Sequence, residues 1–288
     1  MKKKTIKAVL SKKINEWAES IEDEDLRKRV LRDTIVTGGS IASMLLKEQV
    51  NDFDVYFLTK ETAKAVAEYY VAAFIQATGH SLSVQEDESG RIKIATKNGF
   101  RGETAGDVTT LDDPGEIEDI YTDTEEEALE EKGKYRPVFL STNAITLSNR
   151  IQIVIRFYGK PDEIHENYDF VHCTNYWTAH DSDLVLRQEA LEALLAKELF
   201  YVGSKYPVCS VMRLRKFIKR GWTVNAGQIL KMCLQIADLD LTNPRVLEDQ
   251  LTGVDSAYFC HVIEAVKEKN PEKINGAYLV EIIDRMFG

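Results

Sequence analysis

One short block limits this chain more than any other. The apolar run Ile35-Val36 leads into Thr37-Gly38-Gly39-Ser40, then a short helix-forming stretch, then Asn51-Asp52-Phe53-Asp54-Val55-Tyr56-Phe57. Two glycines and a serine stand where an apolar strand must become a helix. Such a turn offers backbone N–H groups and the positive end of a helix dipole to an anion. The two carboxylates that follow lie on a second apolar run. Side chains alternate across a strand, so Asp52 and Asp54 project from one face, about 6.5–7 Å apart along the backbone. Oxygen pairs of this kind suit hard cations such as Mg²⁺ or Mn²⁺ and leave positions open for water and phosphate oxygens. A surface strand carrying two acidic residues after an ordinary glycine turn is the blander alternative. It fits less well, because Val55-Tyr56-Phe57-Leu58 reads as a buried strand where unpaired carboxylates are costly.

Gly38-Gly39-Ser40, a helix from Ile41 to about Glu48, and Asp52-Phe53-Asp54 on a strand together resemble the signature of the nucleotidyltransferase superfamily. That superfamily includes DNA polymerase β and the poly(A)- and CCA-adding enzymes. Its signature is a GG or GS turn, a spacer of about ten residues, and Asp/Glu-x-Asp/Glu among apolar residues. The resemblance covers roughly residues 30–60 and one later carboxylate; more weakly, the whole chain looks like bacteriophage-encoded members. It implies an α+β fold, with a mixed-sheet palm domain followed by a helical domain. It also implies Mg²⁺-dependent transfer of a nucleoside monophosphate from a nucleoside triphosphate to a hydroxyl, with pyrophosphate leaving. Asp52 and Asp54 would bind the metals, and Gly38, Gly39 and Ser40 would hold the β- and γ-phosphates. Ser40 also reads as an N-cap for the helix beginning near Ile41.

Members place a third carboxylate on a neighbouring strand later in the chain. The expectation here is Asp169, in the strand-like run Tyr168-Asp169-Phe170-Val171-His172-Cys173, completing one metal site and helping to activate the acceptor. Asp107 and Asp119 are weaker choices, because no Lys or Arg occurs from Asp107 to Glu131 and that acidic block reads as a solvated insertion at about 101–136. Arg156 either neutralises phosphate charge or pairs with a carboxylate. His172 reads as a satisfied strand histidine. Tyr176 and Trp177 either stack on a base or pack in the core.

Periodicity supplies the remaining layout. Ile6, Val9, Leu10, Ile14, Trp17 and Ile21 recur at helical spacing, predicting a helix from Ile6 to about Arg32. Strands are expected at Thr34–Thr37 and Asp52–Leu58, with a helix from Thr62 to about Ala77. A hairpin of Ser81–Gln85 with Arg91–Thr96 is expected to turn at Glu88-Ser89-Gly90. Further strands are expected at Asn143–Leu147 and Arg150–Phe157, and the pattern is helical from Leu184 onward. Domains are therefore expected at 1–180 and 181–288, and a chain of 288 residues can bury a core in each.

Composition bears on partners. A net charge of −10 argues against coating nucleic acid by bulk electrostatics. The helical half nevertheless carries Arg213-Leu214-Arg215-Lys216-Phe217-Ile218-Lys219-Arg220. Arg213, Lys216 and Arg220 fall near one helical face, with Leu214, Phe217 and Ile218 turned inward. Arg213 and Lys216 are the expected phosphate contacts there. The basic start Met1-Lys2-Lys3-Lys4 precedes no apolar core segment, and no run reaches membrane-spanning length, so a cytosolic chain is expected (host cytoplasm if phage-encoded). Cys173, Cys209, Cys233 and Cys260 have neither CxxC nor zinc spacing, and reduced thiols are expected. The acceptor, whether RNA, protein or a small molecule, is written in no motif. A catalytically silent binding or assembly protein on the same fold is the rival reading. A toxin or antiviral module would share the chemistry and differ in target.

Overall fold

The computed structural model describes residues 1–87, 90–96, 103–104 and 134–251. Helix α1 (Lys3–Glu19) buries Ile6, Leu10, Ile14, Trp17 and Ala18, a stripe repeating every three or four residues. Val9, one position off that row, is exposed. The single helix expected to run to about Arg32 is two. Asp23 interrupts it and caps α2 (Glu24–Asp33), accepting the N–H groups of Asp25 and Leu26 at 2.9 Å each. An aspartate that satisfies two first-turn donors makes a restart favourable where a continuous helix would leave its carboxylate idle.

Strand β1 (Thr34–Thr37) is buried throughout, and α3 (Gly39–Leu46), β2 (Phe53–Phe57) and α4 (Lys60–Thr78) follow it. Helix α4 starts at Thr59, whose hydroxyl accepts Thr62 N–H, and stops at Gly79 in the left-handed region. The hairpin of β3 (Leu82–Glu86) and β4 (Ile92–Thr96) pairs antiparallel; two of its expected turn residues, Glu88 and Ser89, lie outside the described residues. Next come β5 (Glu103–Thr104), β6 (Pro137–Leu140), β7 (Ala144–Leu147), β8 (Ile151–Tyr158) and the short helix α5 (Pro161–His165). The expected strand Tyr168–Cys173 is not one. Phe170 makes an isolated bridge, and Val171–Cys173 is a 3-10 turn. Strands β9 (Tyr176–Thr178) and β10 (Asp183–Val185) precede helix α6 (Gln188–Ala196).

The described strands form a mixed sheet in the order β10-β9-β1-β2-β8-β7-β6-β5. Strands β2 and β8 run parallel, and β2 pairs antiparallel with β1 on its other side. The architecture is α+β, with helices packed on the sheet. Trp17, Phe57 and Phe74 are fully buried in the core, and Trp17 Nε1 donates to Tyr70 Oη at 2.7 Å, so the indole brings no unpaired donor with it.

The chain divides into two compact units, residues 1–166 with 171–196, and residues 167–170 with 197–288. The division falls after residue 196, later than the expected 180, because β9 and β10 join the sheet edge and α6 packs on the 3-10 turn. The described part of the second unit contains helices α7 (Pro207–Lys219), α8 (Ala226–Ala237) and α9 (Pro244–Leu251). There Phe217 packs edge-on against Phe170 and Trp222. Ile218, expected inside, is 52% exposed, whereas Leu214 is buried. Among the described residues no helix is long and apolar enough to cross a membrane. Cys173, Cys209 and Cys233 form no disulfide. The expected acidic insertion, with Asp107 and Asp119, lies almost wholly outside the described residues, as does Cys260.

Candidate nucleotide site

Strand β1 ends against a turn that only glycine can make. Gly38 has φ +96° and ψ −153°, a region essentially closed to L side chains. A Cβ placed on it would overlap Asp54 Oδ2 and lie 3.3 Å from Asp54 Cγ. The missing side chain is what allows the Asp54 carboxylate to rest against the turn. Gly38 N–H donates to the Cys173 carbonyl at 3.1 Å, which fixes the turn from the other side. Gly39 is exposed and opens α3, and a Cβ there would meet nothing within 4 Å.

The helix begins two residues earlier than expected, so Ser40 is not its cap; Gly38 holds that position with no side-chain bond. Ser40 is 2% exposed, and its hydroxyl has no hydrogen-bond partner among the described residues. A buried hydroxyl without a partner is uncommon in a folded protein. Here it sits in the first turn of a helix, where backbone N–H groups also lack intrahelical acceptors.

Asp52 lies just before β2 and Asp54 within it, and both are half-buried. Across the parallel ladder Asp54 pairs with Gln152 of β8, so the same-face neighbour is an amide. Among the described residues, no three His, Cys, Asp or Glu side chains are grouped to hold a metal ion. Asp169 belongs to the second unit. Its carboxylate accepts the Ser210 hydroxyl at 2.8 Å and forms an ion pair with Arg213. The expected metal ligand and the expected phosphate contact are thus partners of each other. That pairing accounts for an acidic residue in an apolar run, since a carboxylate only 7% exposed needs compensation. Lys216 lies half-buried on the same helix as Arg213. Arg156 donates to Asn143 Oδ1 at 3.1 Å.

Beneath the turn is a polar group that spacing did not disclose. Thr37 Oγ1 donates to the Asn175 carbonyl at 2.9 Å and lies 2.8 Å from His165 Nε2, 128 residues away. With the hydroxyl proton directed at Asn175, His165 must supply the proton between them, which assigns the Nε2–H tautomer. Asn175 Oδ1 accepts Arg187 N–H at 2.8 Å. Tyr176 pairs with Thr37 across the sheet and packs its ring near His165. Trp177 is 2% exposed and belongs to the core. Pro161, at the first position of the short helix that carries His165, is a local cue and says nothing about Thr37.

Two histidines make this region acid-sensitive. Burial, with the Arg187 charge adding to it, pushes the His165 pKa down to about 4. Burial alone pushes His172, whose Nε2 is 3.2 Å from Cys173 Sγ, down to about 3. Both folded-state values lie below the unfolded 6.5, so below pH 6.5 the unfolded chain binds more protons. Stability is therefore expected to fall as pH drops through 6.5 and to keep falling towards 4 and 3. Urea midpoints between pH 7.5 and 4.5 measure this, and His165→Gln should flatten the slope. A slope unchanged in that variant would contradict the assignment.

Comparison with known proteins places these features in a family. A profile described as "Gabija anti-defense 2 family protein" matches residues 8–197. A protein named Gabija anti-defense 2, from Bacillus phage SPbetaL7, is 17% identical over 239 residues, covering 83% of this chain and 46% of its own length. The chain thus spans less than half of that relative. Among solved structures, a Thermotoga maritima CCA-adding enzyme complexed with tRNA is similar at 14% identity and TM-score 0.40, covering 95% of this chain and 53% of its own. A Bacillus stearothermophilus CCA-adding enzyme in complex with CTP is similar at 12% identity and TM-score 0.41, covering 88% and 52%.

Proposed function

We infer from two facts, that this chain belongs to the Gabija anti-defense 2 family and that Asp54 rests against the Gly38 turn, that its first unit takes a nucleoside triphosphate. The phosphates lie at the N-terminus of α3, where backbone N–H groups of the first turn, opened by Gly39 and Ser40, donate to an anion. The observation carrying this reading is the turn itself. A glycine-only backbone places a carboxylate beside a helix N-terminus, next to a buried Ser40 hydroxyl that lacks a partner among the described residues. An anionic oxygen would satisfy that hydroxyl, and a carboxylate so close to an anion needs a cation between them.

Asp52 and Asp54 have the oxygen chemistry for Mg²⁺ or Mn²⁺, and the glycine leaves room for the Asp54 carboxylate. Bound there, the ion would supply charge neutralisation at the phosphates and lower the pKa of an attacking hydroxyl. The chain's own contribution is positional. The turn and Ser40 orient the triphosphate, the carboxylates set the metal side, and the buried sheet beneath excludes water. The reaction is transfer of a nucleoside monophosphate to a hydroxyl acceptor: an acceptor O–P bond forms and the bond to pyrophosphate breaks. We take the acceptor or partner to be a component of Gabija defense, in line with the family's description.

A second reading has an observation in its favour. The cross-strand partner of Asp54 is the amide Gln152 and not a third carboxylate, and Asp169 is paired with Arg213. That arrangement suits a protein that binds the nucleotide and does not turn it over. One experiment separates the readings: calorimetric binding of ATP, GTP, CTP and UTP with and without Mg²⁺, followed by a pyrophosphate assay with Gabija components. Binding that needs Mg²⁺ and is lost on Asp52→Asn/Asp54→Asn is the expected result. Binding with no pyrophosphate release would favour the silent reading, and no binding by a folded wild type would overturn both.

A further inference from the structure

We propose that Arg187 is an anion-binding side chain of the first unit, held by Asp162 until a ligand phosphate at the Gly38-Gly39-Ser40 turn replaces that carboxylate. This deepens the nucleotide reading above and rests on it. The argument begins with charge. A helix N-terminus contributes about half an elementary charge, far less than a triphosphate carries, even with one divalent cation bound. A guanidinium within reach of the turn would meet the need, because its fork matches phosphate geometry.

Several contacts tie Arg187 to that turn. Its backbone N–H donates to Asn175 Oδ1 at 2.8 Å, and the Asn175 carbonyl accepts the hydroxyl of Thr37, the residue before Gly38. Its guanidinium lies 5.8 Å from the centre of the Tyr176 ring, and Tyr176 is the register partner of Thr37. The same positive charge is felt by His165, whose Nε2 is 2.8 Å from Thr37 Oγ1. The residue that seats Arg187 is unusual as well. Asn175 is fully buried, yet its Nδ2 has no acceptor among the described residues, as Ser40 Oγ has no partner. Two buried polar groups, without partners among the described residues, flank the backbone that holds the turn.

The link to Asp162 is the weak one. That side chain is 84% exposed, at the start of α5, while Arg187 is 30% exposed. Ion pairs with a solvated partner contribute little and exchange readily. A phosphate bound at the turn, doubly hydrogen-bonded by a pre-positioned guanidinium, would outcompete that carboxylate. Tyr176 would keep the guanidinium over its ring during the exchange.

Opposite substitutions at the two ends of the pair test this in the full chain. Calorimetry would follow Mg²⁺-ATP and inorganic tripolyphosphate binding to wild type, Arg187→Gln, Arg187→Lys and Asp162→Asn. Arg187→Gln should weaken both probes roughly 10- to 100-fold, the effect of losing a charged hydrogen-bonding partner. Arg187→Lys should fall between it and wild type, and Asp162→Asn should tighten both probes several-fold by releasing the arginine. If the pair is only a brace, both substitutions lower the melting temperature and neither changes affinity, which overturns the proposal while leaving nucleotide binding intact. A loss confined to ATP, with tripolyphosphate unaffected, would move Arg187 away from the phosphates and overturn it too. Failure of wild type to bind either probe would overturn this inference together with the nucleotide reading.

Discussion

Gly38→Ala is expected to abolish nucleotide binding and to cost about 2–6 kcal/mol of stability. Two terms add here: about 1–3 kcal/mol for forcing a side chain into a glycine-only backbone region, and about 1–3 kcal/mol for overlap with a packed neighbour. The overlap is with Asp54 Oδ2, so the carboxylate must leave the turn even if the chain still folds. The neighbouring glycine is the control. A Cβ at Gly39 meets nothing within 4 Å, and Gly39 is a helical residue whose φ lies outside the left-handed region. Gly39→Ala should be neutral to slightly stabilising, by up to about 1 kcal/mol, because alanine loses less backbone freedom in a helix. Urea denaturation and Mg²⁺-ATP calorimetry on both variants measure the contrast. Equal behaviour of the two alanine variants would show that Asp54 does not depend on the turn.

Asp33→Ala should be the most damaging change away from the site, by about 2–4 kcal/mol. The Asp33 carboxylate is 3% exposed and sits where α2 hands over to β1. Arg32 donates Nε to Oδ1 at 2.7 Å and a second nitrogen to Oδ2 at 2.8 Å. The hydroxyls of Thr59 and Thr62 reach Oδ2 at 3.1 and 2.5 Å, joining the start of α4 to the same carboxylate. Removing it takes the charged acceptor from the Thr62 hydroxyl in a site that is 1% exposed, leaving it the Thr59 hydroxyl at 2.9 Å. The Arg32 end matters less, because that side chain is 61% exposed and water takes over. Burial raises the Asp33 pKa, but the bonds from Arg32, Thr62 and Thr59 outweigh it and hold it below 3.8. A depressed carboxylate contributes stability above its unfolded value and loses it as pH falls through the folded one. The stability gap between wild type and Asp33→Asn should therefore be full at pH 7 and shrink only below 3.8. A gap that closes near pH 6 would assign the effect to another group.

Local grammar made much of this fold legible. The spacing of Ile6, Leu10, Ile14 and Trp17 predicts a buried helical stripe, and the structure buries all four. Thr34–Thr37 is a strand with the limits expected of it. The misreadings arose where a partner distant in sequence, or an unusual backbone angle, decided what a side chain does. Asp169 in an apolar run suggested a metal ligand on a strand, yet its partner is Arg213, 44 residues on, and its backbone bridges instead through Phe170 to Tyr201. Ser40 had the identity of an N-cap, but the unusual φ and ψ of Gly38 start the helix earlier and leave the hydroxyl without that role.

The strand, the glycine turn and the helix could be read from the sequence alone, because each depends on geometry repeating within a few residues. Tertiary structure decided what stands beside them. Parallel pairing of β2 with β8 set Gln152 next to Asp54, and folding of α5 and β9 onto β1 brought His165, Asn175 and Tyr176 around Thr37. Those neighbours come from strand register and long-range packing, where a shift of one residue would send every side chain to the opposite face. Nothing in the spacing along the chain encodes that choice.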